Sequence, residues 1–128
     1  MRQGLPVTVY GSEKMLDFTY VDDCVSGIRA GIERLLDGRV QNQTINLAYG
    51  QGNTLVRMAE LIAEALQVAA HITVEAAKRV GEVSRYIADI SRAVELLDYQ
   101  PQVPLAEGIR RAVAWSNAWA ARVPPGEQ

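Results

Sequence analysis

Tyr10 and Lys14 stand at Tyr-x-x-x-Lys spacing. On a helix that spacing sets an ammonium one turn from a phenol, lowers the phenol pKa and makes it a proton-transfer group. Here Tyr10 ends the run Pro6-Val7-Thr8-Val9-Tyr10, and Gly11-Ser12 spells a turn, so the two side chains need not share a helical face. No serine lies upstream at a useful distance, and a catalytic pair is not the expectation. Asp17, Asp22 and Asp23 put three carboxylates close together with no histidine near them. Helix capping by Asp22 or Asp23 accounts for them better than a metal does. Gly50-Gln51-Gly52 falls between a strand and a helix, where a helix N-terminus could hold a phosphate. Leu55 takes the third glycine position, and the nearest acid for a ribose, Glu75, ends a doubtful strand, so a tight turn is expected. His71, the sole histidine, has no acid or cysteine beside it and reads as structural or surface. Cys24 near a helix start could have a lowered pKa, but reads as a small core residue.

The elements that hold these residues follow from periodicity. Pro6–Tyr10 and Phe18–Val21 read as strands. A helix capped at Asp22 or Asp23 runs to about Leu36, with Val25, Ile28, Ile32 and Leu35 at helical spacing and Gly38 closing it. Thr44–Ala48 reads as a strand and Gly50–Asn53 as the turn after it. Thr54 caps a second helix that buries Leu55, Met58, Leu61, Ile62, Ala65 and Leu66. Ile72–Val74 is a further strand and Arg85–Ala88 is extended. A short helix capped by Asp89 or Ser91 carries Val94 and Leu97 and breaks at Asp98-Tyr99-Gln100-Pro101. Pro104 opens the last helix, whose Leu105, Ile109, Ala112, Val113 and Trp115 can pack inward. Trp115 and Trp119, four apart, pack inside the chain or against a partner. Alternating strands and helices make the class α/β. So few strands leave a sheet edge or face uncovered, which points to a partner or a further portion.

Composition sets the limits. The 128 residues are 48% hydrophobic and 22% charged, with net charge −2, which suits one globular domain with its own core. No basic stripe suggests nucleic acid. No apolar run reaches the length of a membrane span, and the start at Met1–Pro6 lacks a signal peptide's apolar stretch. A single cysteine suits a reducing compartment. These features predict a soluble cytoplasmic chain. Its domain boundaries are 1–123 for one α/β unit and 124–128 for a frayed tail.

Five segments in order carry a resemblance: Val-Thr-Val-Tyr-Gly to Gly11, Asp17-Phe18-Thr19-Tyr20-Val21-Asp22-Asp23, Thr44-Ile45-Asn46-Leu47-Ala48-Tyr49-Gly50, Arg79-Val80-Gly81-Glu82 and Leu97-Asp98-Tyr99-Gln100-Pro101. From about Leu5 to Trp115 the chain resembles the C-terminal, substrate-binding portion of the extended short-chain dehydrogenases/reductases, the NAD-dependent sugar-nucleotide epimerases and dehydratases. The resemblance implies a partial Rossmann-type fold. It implies that Tyr10 lies beside the base, that Arg79 binds the diphosphate and that Glu82, for the family's aspartate, takes the ribose hydroxyls. A guanidinium matches phosphate bidentately, and a carboxylate can accept from two adjacent hydroxyls. Leu16 stands where the family has a further diphosphate arginine, and Lys14 could reach the same group as a point charge. Asp98 replaces a family glycine at a left-handed position it tolerates. By the same resemblance, Thr44–Ala48 and the helix after it complete the Rossmann sheet. NAD belongs to the full-length family enzyme, with none bound by this chain alone. The family's glycine-rich loop and catalytic tyrosine are absent from these residues, so turnover by the chain alone is not expected. The implied ligand is a nucleotide-sugar, with an NAD-binding domain in trans or a homo-oligomer as possible partners. The alternative is a non-enzymatic, self-associating structural or binding module derived from the family.

Overall fold

The computed structural model describes residues 6–75 and 84–122. The chain forms β1 (Val7–Tyr10), β2 (Met15–Asp17), α1 (Val21–Leu36), β3 (Gly52–Thr54), α2 (Leu55–Leu66), β4 (Ile72–Glu75), β5 (Arg85–Tyr86), α3 (Ser91–Leu97) and α4 (Leu105–Ala120). β1 and β4 pair in parallel, with Val7 opposite Ile72 and Tyr10 opposite Glu75. β2 is the middle of a second sheet. It runs antiparallel to β3 and parallel to β5, with Met15 opposite Arg85 and Leu16 opposite Tyr86. The architecture is α/β, as the alternation of elements requires.

Several expected boundaries move, each for a physical reason. The strand expected at Phe18–Val21 lies earlier, at Met15–Asp17. The partner strands β3 and β5 reach only as far as Asp17 and Leu16, so no ladder is offered beyond. Helix α1 then begins at Val21 with Tyr20 at the N-cap, so neither Asp22 nor Asp23 caps it. The buried Asp23 carboxylate instead accepts from the amides of Gln102 at 2.8 Å and Val103 at 3.0 Å, which the proline-bounded segment before α4 leaves unpaired. Its place in the first turn still favours the helix dipole.

Thr44–Ala48 is not a strand. Its alternation survives, with Thr44 and Asn46 exposed and Ile45 and Leu47 half-buried, but no described strand pairs with it. Side chains hold it instead. Arg92 donates to the Thr44 carbonyl, and Asn46 donates to the Asp89 carbonyl. The turn expected at Gly50–Asn53 gives way at Gly52 to β3, which closes against β2.

Other expectations hold. Thr54 caps α2 by accepting from the Arg57 amide. Asp98 ends α3 in the left-handed region, φ 55°, and its carboxylate meets Arg34. The cap expected at Asp89 or Ser91 does not form: Ile90 takes the N-cap of α3 with no side-chain cap bond, while Asp89 accepts from the Ser91 amide at 2.9 Å and the Ser91 hydrogen bonds hold its carboxyl below the usual carboxylate range.

One core joins Ala93, Leu97 and Tyr99 to Ala30, Val40, Ile45, Leu47, Ile90 and Leu96. Gly27 makes this possible, because a Cβ there would fall 2.5 Å from a Leu47 methyl. Helix α2 buries Ala59, Leu61 and Ala63 and lies against α4, β1 and β4. Trp115 does not pack inward. It stacks on Trp119 at 5.8 Å, and the two remain 66% and 56% exposed. On α1 a continuous stripe of Val21, Val25, Ile28, Ile32, Leu35 and Leu36 is exposed. Among the described residues no helix is long and apolar enough to cross a membrane.

Candidate functional site

The candidate site is built at the ends of the two short sheets. β1 delivers Tyr10, half-exposed, to its C-terminal end. Gly11 follows at φ 78°, a conformation that excludes most side chains, and the Lys14 amide closes the turn on the Gly11 carbonyl at 3.2 Å. The Lys14 stem lies over Gly11, whose absent Cβ would otherwise sit 3.1 Å from Lys14 Cε. Tyr10 and Lys14 therefore flank a turn. They are not set one helical turn apart, so the Tyr-x-x-x-Lys spacing does not form a dyad on a helix.

Arg79 and Glu82 fall in residues 76–83, outside the described residues. The flanks of that segment are described, and both arrive at the site. Glu75 is the register partner of Tyr10, and its carbonyl accepts from the Gly11 amide at 2.9 Å. Ser84 accepts from the amide of Met15, next to Lys14, at 2.9 Å.

Asp17 joins this edge to the rest of the fold, a role not read from its sequence neighbours. Its carboxylate accepts from Tyr49 at 3.2 Å, Gly50 at 3.0 Å and Ala88 at 3.3 Å. The Tyr49 amide is shared with the Thr19 hydroxyl. Of the Gly50-Gln51-Gly52 segment, the Gly50 amide, with that of Tyr49 before it, thus serves the carboxylate of Asp17. The partners lie 32 to 71 positions away in sequence, which is why no local pattern signals the clamp.

The three aspartates go to three places: Asp17 to the loop amides, Asp22 toward Arg111 at 3.7 Å, and Asp23 to residues 102–103. Among the described residues no group of three or more acids, histidines or cysteines is placed to hold a metal. His71 is exposed, and its carbonyl accepts from the Val7 amide. Cys24 is free and half-buried.

Beyond the site, Glu107 is held below the usual carboxylate range by Arg111 and then Arg110, and Arg111 also lies 5.7 Å over the Tyr20 ring. The Tyr99 hydroxyl is buried with no hydrogen-bond partner among the described residues, and burial pushes its pKa up to about 12.

No family model matches the chain. A UDP-glucose epimerase of Bacillus subtilis, itself uncharacterised, is 30% identical over 119 residues, covering 91% of this chain and 36% of its own length. The chain thus spans about a third of that relative. Among solved structures, the UDP-glucose 4-epimerase of Thermotoga maritima with UDP-glucose is 27% identical with a TM-score of 0.80, over 94% of this chain and 37% of the other. The UDP-glucuronic acid 4-epimerase of Bacillus cereus with UDP-glucuronic acid and NAD is 26% identical with a TM-score of 0.76, over 89% and 36%. The order of elements and the coverage agree with the motifs: over about nine tenths of its length the chain is similar to a portion of sugar-nucleotide epimerases of the extended short-chain dehydrogenase/reductase type.

Proposed function

We propose that this chain binds the nucleotide-diphosphate half of a nucleotide-sugar, as the substrate-binding portion of an NAD-dependent epimerase or dehydratase. Tyr10 takes the base by stacking, Lys14 and Arg79 take the diphosphate, and Glu82 takes the ribose hydroxyls. One observation carries the reading: the β1–β4 and β2–β5 pairings bring the two flanks of residues 76–83 to Tyr10 and to the residue after Lys14. A base-stacking ring, a cation and the segment with a guanidinium and a carboxylate then serve one elongated ligand. The ligands named for the Thermotoga maritima and Bacillus cereus structures are of this kind.

The Gly50-Gln51-Gly52 segment does not form the strand-to-helix turn of a dinucleotide fingerprint, because no described strand leads into it, Gly52 enters β3 and Asp17 takes the Gly50 amide. NAD belongs in this proposal to the portion of the family enzyme that the chain does not match, and no hydride step runs through these residues. The chain alone is expected to turn nothing over. A cytoplasmic, reducing setting suits its one free cysteine.

Calorimetry with UDP-, dTDP- and GDP-sugars, with NAD as control, tests the reading. One nucleotide-sugar should bind, NAD should not, and Arg79→Ala should weaken the binding about tenfold or more. Silence across the whole panel would overturn it.

A second reading rests on the exposed stripe of α1, from Val21 at 61% to Leu36 at 82%. Apolar faces of this length mark interfaces. An NAD-binding domain in trans or a second copy of the chain would cover it, and in the second case the chain is a self-associating module. Sedimentation equilibrium separates the two: a monomer at micromolar concentration removes the self-associating module.

A further inference from the structure

We infer that α4 is a self-association surface, on which a second copy of the chain lies antiparallel and each copy's Trp119 enters a pocket of the other. The inference does not rest on the nucleotide-sugar reading, and it concerns a different face from the α1 stripe. Its first support is a pattern. Leu105, Gly108, Ala112, Trp115, Trp119 and Arg122 recur at intervals of three and four residues, so they follow one stripe along α4 and just past its end. The stripe is graded in size. Glycine and alanine stand in its first half, and two indoles in its second. Those indoles stack on each other at 5.8 Å and are 66% and 56% exposed. Tryptophan is among the residues that anchor interfaces most often.

The second support is a cavity at the small end of the same stripe. A pocket of about 180 Å³ lies between α4 and the segment before α1, lined by Phe18, Tyr20, Met58, Gly108, Ile109 and Ala112 among others. Sites for drug-sized ligands run to roughly 300–1,000 Å³, so this one suits a single side chain. Its apolar walls favour a ring over a charged group. Ala112, one of its lining residues, is exposed, which leaves the pocket within reach of a neighbouring helix.

The third support is register. A two-fold axis between Ala112 and Trp115 sets Trp115 of one copy over Ala112 of the other and Trp119 beside Gly108, where the pocket lies. Large residues then meet small ones at each step. The same register brings Arg122 to the first turn of the other copy's α4. Glu107 in that turn already pairs with Arg110 and Arg111, and its carboxylate has lone pairs left to accept a third donor. Because the contact is isologous, it closes at two copies. Four indoles at these exposures, with the walls they meet, bury about 700–1,200 Å² in all. That is the low end for a specific interface, so the dimer is expected at micromolar concentrations.

Sedimentation equilibrium on the full chain up to about 100 μM, with tryptophan emission over the same range, tests this in wild type, Trp119→Ala, Ala112→Trp and Ile28→Asp. Wild type should show a monomer–dimer equilibrium whose tryptophan emission shifts to the blue as the dimer forms. Trp119→Ala should weaken it about tenfold or more. Ala112→Trp keeps both indoles and blocks the pocket, so it should weaken the dimer as much. Ile28→Asp, on the other face, should leave it within about twofold. Both α4 positions are exposed, so these substitutions leave the fold in place, which circular dichroism checks. A monomeric wild type overturns the proposal. So does an Ala112→Trp dimer as strong as wild type, because the rings then meet each other and not the pocket. If Ile28→Asp abolishes association and Trp119→Ala does not, the interface is the α1 stripe and the proposal fails. Wild-type species larger than a dimer also overturn it, since the contact then fails to close.

Discussion

Asp17→Ala removes the acceptor for three backbone amides. The three do not fare alike. Tyr49 keeps the Thr19 hydroxyl at 3.1 Å, while the Gly50 and Ala88 amides lose their described partner. A hydrogen bond to a charged acceptor contributes about 1.5–3 kcal/mol net. The amides are part-buried and water recovers some of that, so the expected loss is about 2–3 kcal/mol. For a chain of 128 residues this lowers Tm by roughly 10 °C. Thr19→Val alone should cost under about 0.5 kcal/mol, because Asp17 still serves Tyr49. The double variant then orphans Tyr49 as well and should exceed the sum of the singles by about 1 kcal/mol. Urea denaturation of all four proteins at neutral pH measures this. Strict additivity, or an Asp17→Ala loss below about 0.5 kcal/mol, would refute the clamp and make Asp17 a solvated turn residue. The functional consequence follows from the Ala88 bond. The β2–β5 ladder is two residues long, and Asp17 extends the join beyond it, so nucleotide-sugar affinity should fall along with stability.

Tyr99→Phe deletes a buried hydroxyl that has no partner among the described residues, so stability should stay level or rise by up to about 1 kcal/mol. A loss of more than that in thermal melts would reveal an acceptor or a bound water. In wild type, ultraviolet titration should show one tyrosine ionising late, near pH 12. Because this phenol's pKa is raised above the ordinary value, its contribution is intact below about pH 10 and is lost as pH climbs toward 12. Glu107 and Asp89 run the other way. Their pKa values are lowered, by Arg111 and Arg110 and by Ser91 respectively, so they stabilise above the ordinary carboxylate pKa and the contribution disappears as pH falls through the folded value. Glu107→Gln with Asp89→Asn should flatten the acid limb of a stability profile, and an unchanged limb would count against both pairs. Ile28→Asp, at the centre of the exposed α1 stripe, should abolish any association through that stripe while leaving the circular dichroism spectrum unchanged. Loss of helix signal instead would show that Ile28 packs within the chain.

The parts of this fold readable in the sequence are those fixed by near neighbours. The Thr54 cap acts over three residues, the left-handed Asp98 ends its own helix, and the turn at Gly11 separates Tyr10 from Lys14 within five residues. The parts misread depend on partners far along the chain. Asp23 looked like a cap because its distant claimants, Gln102 and Val103, are 79 and 80 residues away. Phe18–Val21 had strand composition but no neighbour to pair with. Thr44–Ala48 is the instructive case. Its period-two alternation is real and its inner residues reach the core, yet a strand is a property of a pair, and no described segment supplies the second member. Helix α1 tells the same story in the helical period. Its apolar spacing is faithful from Val21 to Leu36, but Gly27 packs on Leu47 while the apolar stripe beside it stays in water. Both patterns are written for a larger hydrophobic layer than the described residues provide. The two differ in outcome: Ile45 and Leu47 still reach the core while the α1 stripe stays exposed, so the alternation of 44–48 is used by packing without pairing, and the helical period of α1 is not used among the described residues.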